Sequence, residues 1–293
     1  MVQIPFKRKT VLITGASSGI GLETTKRFAE AGYIVYAAVR NPNKAEALHV
    51  LSKQFPKHII VTQLDLLDSE KAIYEKVKKI GKIDILINNA GIGLIGPAHA
   101  TTDEERRRVF DTNLFGLLNV TYAVLDGMIH VKAGKIISIS SIVGPLPDPK
   151  QATYSASKGA LEHFMSVLRN DLIQAGYHDI HVANVHPGPV LTNFKNAAQN
   201  GSRFTADNNP YPQTASARAE WESIMNEGRP ISETVETIYR VAHENHSDFW
   251  NPTHPSVKMA FSETYKDTTG NRFMVGLAAP TEDKAAIGIK CKL

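Results

Sequence analysis

Residues 10–21 read TVLITGASSGIG, five apolar or β-branched residues running straight into Gly15, Gly19 and Gly21. An apolar run of that length closed by a glycine-rich turn reads as a short buried strand. The next stretch places Ile20, Thr24, Phe28 and Ala31 on one helical stripe and stops at Gly32. A strand, a glycine turn and a helix together suit a bound phosphate. The glycines let backbone approach it closely, and the helix N-terminus offers unpaired amides. Taken alone, the turn could equally serve only to pack a helix on a sheet.

Outward from that unit the same alternation continues. Apolar runs at 33–39 (YIVYAAV), 58–64 (HIIVTQL), 83–88 (IDILIN), 135–141 (KIISISS) and 180–185 (IHVANV) read as strands. Between them lie helical patterns, with Ile73, Val77 and Ile80 on one face of the third and Phe110, Leu114, Leu117 and Leu118 on a long fourth. Strands apolar on nearly every residue, alternating with helices, define an α/β fold with a parallel sheet covered on both sides. Right-handed crossovers make it doubly wound. From Thr192 to Pro230 the periodicity lapses into Asn, Gly, Pro and Ser, which reads as a mobile substrate lid. Helical spacing returns with Val235, Ile238, Tyr239 and Ala242, and RFMVG (272–276) reads as a last short strand. No repeat or linker divides the chain, so residues 1–293 are expected to form a single domain.

Composition narrows the function. The chain is 42% hydrophobic and 21% charged, as expected of a globular protein with a sizeable core. Its net charge of +4 is not concentrated, since Arg106–Arg108 follow Asp103, Glu104 and Glu105 as on a solvated helix face. A nucleic-acid surface is therefore not expected, and no apolar run approaches the length of a membrane span, so none is expected either. The single cysteine, Cys291, leaves no internal disulfide and no cysteine metal cluster, and no metal is called for. A cytoplasmic setting is the expectation. The terminal Cys291-Lys292-Leu293 resembles a peroxisomal address and offers an alternative.

In doubly wound sheets ligands bind beyond the carboxyl ends of the strands. The second strand ends in Val39 and Arg40, where a dinucleotide lacking a 2′-phosphate usually meets a carboxylate. An arginine there suits the 2′-phosphate of NADP(H), and Val39→Asp is expected to move preference towards NAD(H). Asp65 follows the third strand, able to accept from an adenine amino group or to cap a turn. NNAG (88–91) follows the fourth, leaving room for a ring or ribose, or serving only as a turn. The fifth ends in Ser140 and Ser141, 13 positions before Tyr154 (154 − 141). Tyr154 and Lys158 stand four apart in ATYSASKGALEHF, one above the other on a helix face. The sixth ends in a stiff turn containing Pro187, Gly188, Pro189 and Thr192. A free tyrosine has a pKa near ~10, too high for a base at neutral pH. A lysine cation ~4 Å away could favour its phenolate by up to ~4 kcal/mol, or about three pKa units.

TGASSGIG, NNAG, Asn113 in DTNLFG, Ser141 in SSIVG, YSASK and HPGPVLT occur in this order between about residues 9 and 192. Together they resemble the short-chain dehydrogenase/reductases, in the branch with a single Rossmann domain. YAAVRNP after the second strand is similar to the NADP-preferring members. The resemblance implies a seven-stranded parallel sheet ordered 3-2-1-4-5-6-7 and an active site of Asn113, Ser141, Tyr154 and Lys158. It implies a cofactor turn of Gly15, Ser17, Ser18, Gly19 and Ile20, with Arg40 beyond it. Adenine and ribose contacts would come from Asp65, Asn89, Ala90 and Gly91, and nicotinamide contacts from Pro187, Gly188, Val190 and Thr192. In the implied mechanism Tyr154 is the acid/base and Ser141 holds the substrate oxygen. Lys158 lowers the tyrosine's pKa and binds the nicotinamide ribose, and Asn113 helps to fix Lys158, directly or through a water that relays protons. Pairing through the helices bearing Asn113 and Tyr154 would give a homodimer or homotetramer.

The resemblance weakens beyond Thr192. There Phe194, Tyr211, Trp221, Ile224 and Met225 suit a bulky apolar alcohol or ketone, steroid-, retinoid- or aromatic-like, though they could equally be lid core. A 3-oxoacyl-thioester reductase and a non-catalytic NADP(H)-binding regulator are the alternatives. The glycine spacing argues against the family's epimerase and dehydratase branch.

Overall fold

The computed structural model describes residues 8–204, 208–211, 214–245 and 247–264. The strand expected at 272–276 and the Cys291–Leu293 tripeptide lie outside them. The chain begins with β1 (Thr10–Thr14), α1 (Gly19–Glu30), β2 (Ile34–Val39), α2 (Glu46–Gln54), β3 (Ile59–Gln63), α3 (Glu70–Ile80) and β4 (Ile85–Asn88). Next come a two-residue β5 (Leu94–Ile95), α4 (Asp103–Phe110), α5 (Gly116–Val131), β6 (Gly134–Ile139), α6 (Ala152–Gln174) and β7 (Ile180–His186). The last part holds α7 (Phe194–Ala197), β8 (Gln199–Asn200), α8 (Thr214–Asn226), α9 (Ile231–His243), β9 (Trp250–Pro252) and α10 (Pro255–Thr264).

Seven strands pair in parallel in the order β3-β2-β1-β4-β6-β7-β9. The sheet is doubly wound, as the alternating pattern predicts, and its order is the one the family resemblance implies. The continuous apolar character of the strands follows from their setting. Successive side chains face opposite sides, so Val11 and Ile13 pack with Phe28, Leu48 and Ile238, while Leu12 packs with Ile73, Leu117 and Met128. Each such Leu, Ile or Phe contributes roughly 1.5–3 kcal/mol by leaving water.

Three features depart from the sequence reading. The seventh strand is Trp250–Pro252, with Asn184 opposite Trp250 and His186 opposite Pro252. Three residues with no alternation carry no strand signal. The segment read as a lid is built, among its described residues, of α7, β8 and α8, and β8 pairs with β5. Thr, Ser and Ala at the start of α8 had concealed a 13-residue helix.

The third departure is the long helix, which runs from Asp103 to Val131 with a π-helical turn at Asp111–Phe115 between α4 and α5. Thr102 and Glu105 close its N-terminus as a capping box. At 29 residues it is long and apolar enough to cross a bilayer, contrary to the expectation that no run approaches that length. Its Leu117, Val120, Val124 and Met128 are buried against the sheet, which accounts for the hydrophobicity within the fold.

Candidate active site

A cavity of about 1170 Å³ opens at the carboxyl ends of the strands, above the usual range for small-molecule sites of roughly 300–1,000 Å³. The glycine turn forms one end. Gly15 has φ +66°, and a Cβ there would stand 2.8 Å from Ala90 Cα. Gly21 is packed more tightly, for its Cβ would lie 2.4 Å from the Gly15 carbonyl oxygen and 2.5 Å from Asn89 Nδ2. Asn89 Nδ2 donates to the carbonyls of Thr14 (2.9 Å) and Gly15 (3.1 Å), while Thr14 Oγ1 accepts from the amides of Asn89 (3.0 Å) and Ala90 (3.1 Å). Asn89 therefore lines the cavity, but its side-chain amide is spent on the turn.

Ser18, the N-cap of α1, makes no side-chain cap, so the first-turn amides behind Ser17, Gly19 and Ile20 are left for a ligand. This end fits a dinucleotide pyrophosphate: the glycines keep the approach open, and uncapped amides suit an anion.

Arg40 is exposed at the cavity wall, and among the described residues nothing engages its guanidinium. Val39, by contrast, is 3% exposed, packs in the core and does not reach the cavity. Val39→Asp would therefore bury a carboxylate, and Arg40 is the informative position. Asp65 lines the cavity while its Oδ1 accepts from the Leu67 amide at 3.1 Å, so it holds a turn as well. Ala90 and Gly91 also line the cavity, as do Pro187, Gly188, Val190 and Thr192.

Three of the four expected catalytic side chains meet at the cavity. Tyr154 is 8% exposed and hydrogen-bonds Ser141. Lys158, one turn on along α6, is 2% exposed and donates to the Ile139 carbonyl at 2.7 Å. Its ammonium lies 5.9 Å from the centre of the Tyr154 ring.

The fourth, Asn113, sits behind the wall in the π-helical turn and is wholly buried. It accepts from the Ile92 amide (2.8 Å) and donates to the Ile92 carbonyl (2.9 Å) and to Ser157 Oγ (3.0 Å). Ser157 Oγ in turn donates to the Tyr154 carbonyl at 2.7 Å. Asn113 thus ties the loop after β4 to α6 and makes no bond to Lys158. The two flank Gly91, whose Cβ would be 3.4 Å from Asn113 Oδ1 and from Lys158 Nζ.

The electrostatics reverse the expectation for Tyr154. Burial pushes its phenol up to about 12, with the Ser141 hydrogen bond acting in the opposite sense. Burial also draws Lys158 down to about 8, against the pull of Glu162. The ammonium is turned to the Ile139 carbonyl, and lost hydration of a phenolate outweighs what Ser141 returns. The free site therefore holds a protonated phenol, ready to give a proton.

Phe194 stands 5.8 Å from Tyr154 ring to ring and 6.4 Å from Trp221, within an apolar cluster that includes Ile95, Ala198 and Met225. Trp221, Ile224 and Met225 all face the cavity. Tyr211, also read as part of the lid, instead meets His99 at 3.2 Å. Two contributions escaped the sequence reading. Leu146 and Gln151 come from the loop after β6, and Pro255, Lys258 and Met259 from α10. Leu146 and Gln151 lie beyond the SSIVG motif and α10 carries no motif, so only tertiary packing brings these residues to the site.

A glycine turn that fits a phosphate and a buried Ser–Tyr–Lys group therefore line one cavity. Residues 9–202 match the model of the short chain dehydrogenase family, and the chain belongs to that family. Its members act on alcohols and carbonyls with a nicotinamide dinucleotide. The chain is 38% identical over 192 residues to human retinol dehydrogenase 8, a match covering 64% of this chain and 60% of that protein's length. It is 36% identical over 203 residues to the 3-ketodihydrosphingosine reductase of Bacteroides thetaiotaomicron, covering 69% and 71%. Among solved structures, the closed form of serine dehydrogenase complexed with NADP+ superposes with a TM-score of 0.69 at 29% identity, covering 83% of this chain and 93% of that one.

Proposed function

We propose that the protein is an NADP(H)-dependent oxidoreductase acting on a bulky apolar carbonyl or secondary alcohol, with Tyr154 as its proton donor and acceptor. One observation carries the reading. Ser141, Tyr154 and Lys158 share one cavity with the glycine turn and Arg40 and with the apolar Phe194, Trp221 and Met225. The bound dinucleotide would supply or take up the hydride. The uncapped amides of α1 would hold its pyrophosphate, and Lys158 and Tyr154 would flank its nicotinamide end. Ser141 would donate to the substrate oxygen and keep it beside the Tyr154 hydroxyl, which gives its proton in reduction and takes one in oxidation. The relatives named for retinol and for 3-ketodihydrosphingosine, molecules with long apolar portions, support the apolar class of substrate.

Oxidation of NADPH and NADH by the purified protein, with steroid, retinoid, aromatic, sphingoid and acyl-thioester carbonyls, tests the reading. Turnover of apolar ketones with NADPH supports it. Preference for acyl-thioesters would favour the reductase of fatty acyl chains, and tight NADPH binding without turnover anywhere would favour a regulator.

The choice of NADP(H) rests on Arg40, exposed and with no partner on its guanidinium among the described residues. Charge-assisted bonds to a 2′-phosphate are worth about 1.5–3 kcal/mol, so Arg40→Ala should raise the Kd for NADPH about tenfold to a hundredfold. Its Kd for NADH should stay nearly unchanged. Titration by cofactor fluorescence checks this, and equal losses for both cofactors would remove Arg40 from 2′-phosphate recognition.

Phe115 and Tyr122, in and beyond the π-helical turn, and Val167 on α6 leave large apolar side chains exposed. They support pairing of two copies through α5 and α6, as the family resemblance implies. Light scattering should then return at least twice the chain's 32.1 kDa; a monomer at working concentration would exclude it.

A further inference from the structure

Glu162 lies one helical turn beyond Lys158 on α6, so Tyr154, Lys158 and Glu162 recur at four-residue intervals along one face. Its carboxylate is buried, with Oε1 2.6 Å from His186 Nε2 and Oε2 accepting from Asn184 Nδ2 at 3.0 Å. The contact with His186 has the reach of a hydrogen bond without the alignment of one. His186 is itself wholly buried as the last residue of β7, directly before the Pro187–Gly188 wall of the cavity. Its ring is held edge-on by Phe261 of α10 (5.2 Å) and Trp250 of β9 (6.2 Å). Asn251 of β9 donates to the Asn184 carbonyl, closing the arrangement from the sheet edge.

A carboxylate out of water needs a counter-charge or hydrogen bonds to stay ionised. Glu162 has Asn184 of β7 as a hydrogen-bond donor and the His186 ring beside it, and the positive charge that acts on it is the Lys158 ammonium, one turn back on its own helix. Burial depresses the Lys158 ammonium, and Glu162 opposes that depression. His186 Nδ1 has no partner, so we assign the neutral ring with its proton on Nε2, towards Glu162. A doubly protonated ring would leave a buried N–H unpaired. Among the described residues, the titratable and charged groups around this face are Tyr154 and Glu162 on α6 and His186 on β7, with Arg240 of α9 on Asn251 Oδ1 (3.4 Å) and Asp148 and Lys258 further along the cavity wall. The ends of β4 and β6 present only amides, carbonyls and hydroxyls.

We propose that Glu162 and His186 are positioning residues of the active site: His186 and Asn184 hold the buried carboxylate where it keeps Lys158 charged. The inference rests on the functional reading above, in which a charged Lys158 helps to bind the dinucleotide. Because β9 and α10 pack on His186, it also ties the charge on Lys158 to the C-terminal wall of the cavity.

The test is the pH dependence of NADPH affinity, followed by fluorescence from about pH 6 to about pH 10, a range spanning the ordinary lysine and histidine regions. In the wild-type protein affinity should weaken as Lys158 loses its proton. In Glu162→Gln the midpoint of that loss should move to lower pH by roughly one unit or more, the effect of removing a nearby opposite charge. Glu162→Asp should recover part of the shift, and His186→Gln should move the midpoint the same way by less. Thermal unfolding of each variant accompanies the titration; if Glu162→Gln does not fold, Glu162→Asp and His186→Gln carry the test. A folded Glu162→Gln protein with an unmoved midpoint, however weak its binding or low its Tm, overturns the proposal and leaves the pair a packing feature. A wild-type protein that binds neither NADPH nor NADH would instead overturn the functional reading.

Discussion

Replacing Tyr154 by Phe should lower kcat/KM for the best substrate by about 10²–10⁴-fold, the usual worth of general acid–base catalysis. The substitution removes one oxygen from a side chain that is 8% exposed and already packed against Phe194. The fold and the glycine turn are left untouched, so the Kd for NADPH should change by less than about threefold, within ~0.7 kcal/mol. Stopped-flow rates and a cofactor titration on the same preparation separate the two quantities. Residual turnover within about tenfold of wild type would remove Tyr154 from the proton-transfer step.

The direction of the pH dependence follows from the burial of the phenol. Its pKa in the free site is raised to about 12, so it is protonated throughout the neutral range. Carbonyl reduction, which consumes that proton, should run at neutral pH and weaken above about 8 as Lys158 loses its charge. Alcohol oxidation needs the phenolate and should rise as pH increases from neutral. Rates in both directions on one substrate pair check the sign, and an oxidation rate that falls with rising pH would contradict the assignment.

Gly21→Ala is the second large effect. A methyl group there would stand 2.4 Å from the Gly15 carbonyl oxygen and 2.5 Å from Asn89 Nδ2. Neither atom can yield cheaply, because Asn89 Nδ2 is the donor that ties the Thr14 and Gly15 carbonyls together. Overpacking of this kind costs about 1–3 kcal/mol, or several degrees of Tm in a domain of this size, at about 2–4 °C per kcal/mol. Displacing the turn should also weaken dinucleotide binding by about tenfold or more, since ~1.4 kcal/mol is one decade. Gly32→Ala makes the comparison. Gly32 has φ +86° and nothing within 4 Å of its added Cβ, so it should lose about 1 kcal/mol of stability and no cofactor affinity. Equal Kd values in the two variants would mean that the tight packing at Gly21 does not support the dinucleotide site.

Much of this protein was legible in its sequence because the relevant information is local. Apolar runs between helical stripes establish a doubly wound parallel sheet, and the carboxyl-end rule then directs attention to Gly15, Arg40, Ser141 and Pro187. Tyr154 and Lys158 are one turn apart on a single helix, so their juxtaposition needed no knowledge of the rest of the chain. The remainder depended on segments distant in sequence. β9 exists as a strand because β7 offers it an edge, and its three residues carry no pattern of their own. Asn113 is a spacing motif in the sequence, yet its work is done through Ile92 and Ser157. Val39 and Arg40 are neighbours, but only the tertiary structure turns one into the core and the other to the cavity. The same holds for charge: spacing alone suggests that Lys158 lowers the Tyr154 pKa, whereas the observed enclosure raises it. Periodicity and spacing select local elements, while hydration and partners are set by what the whole fold packs around each group. The Glu162–His186 contact, made between a helix and a strand end, belongs wholly to that second kind.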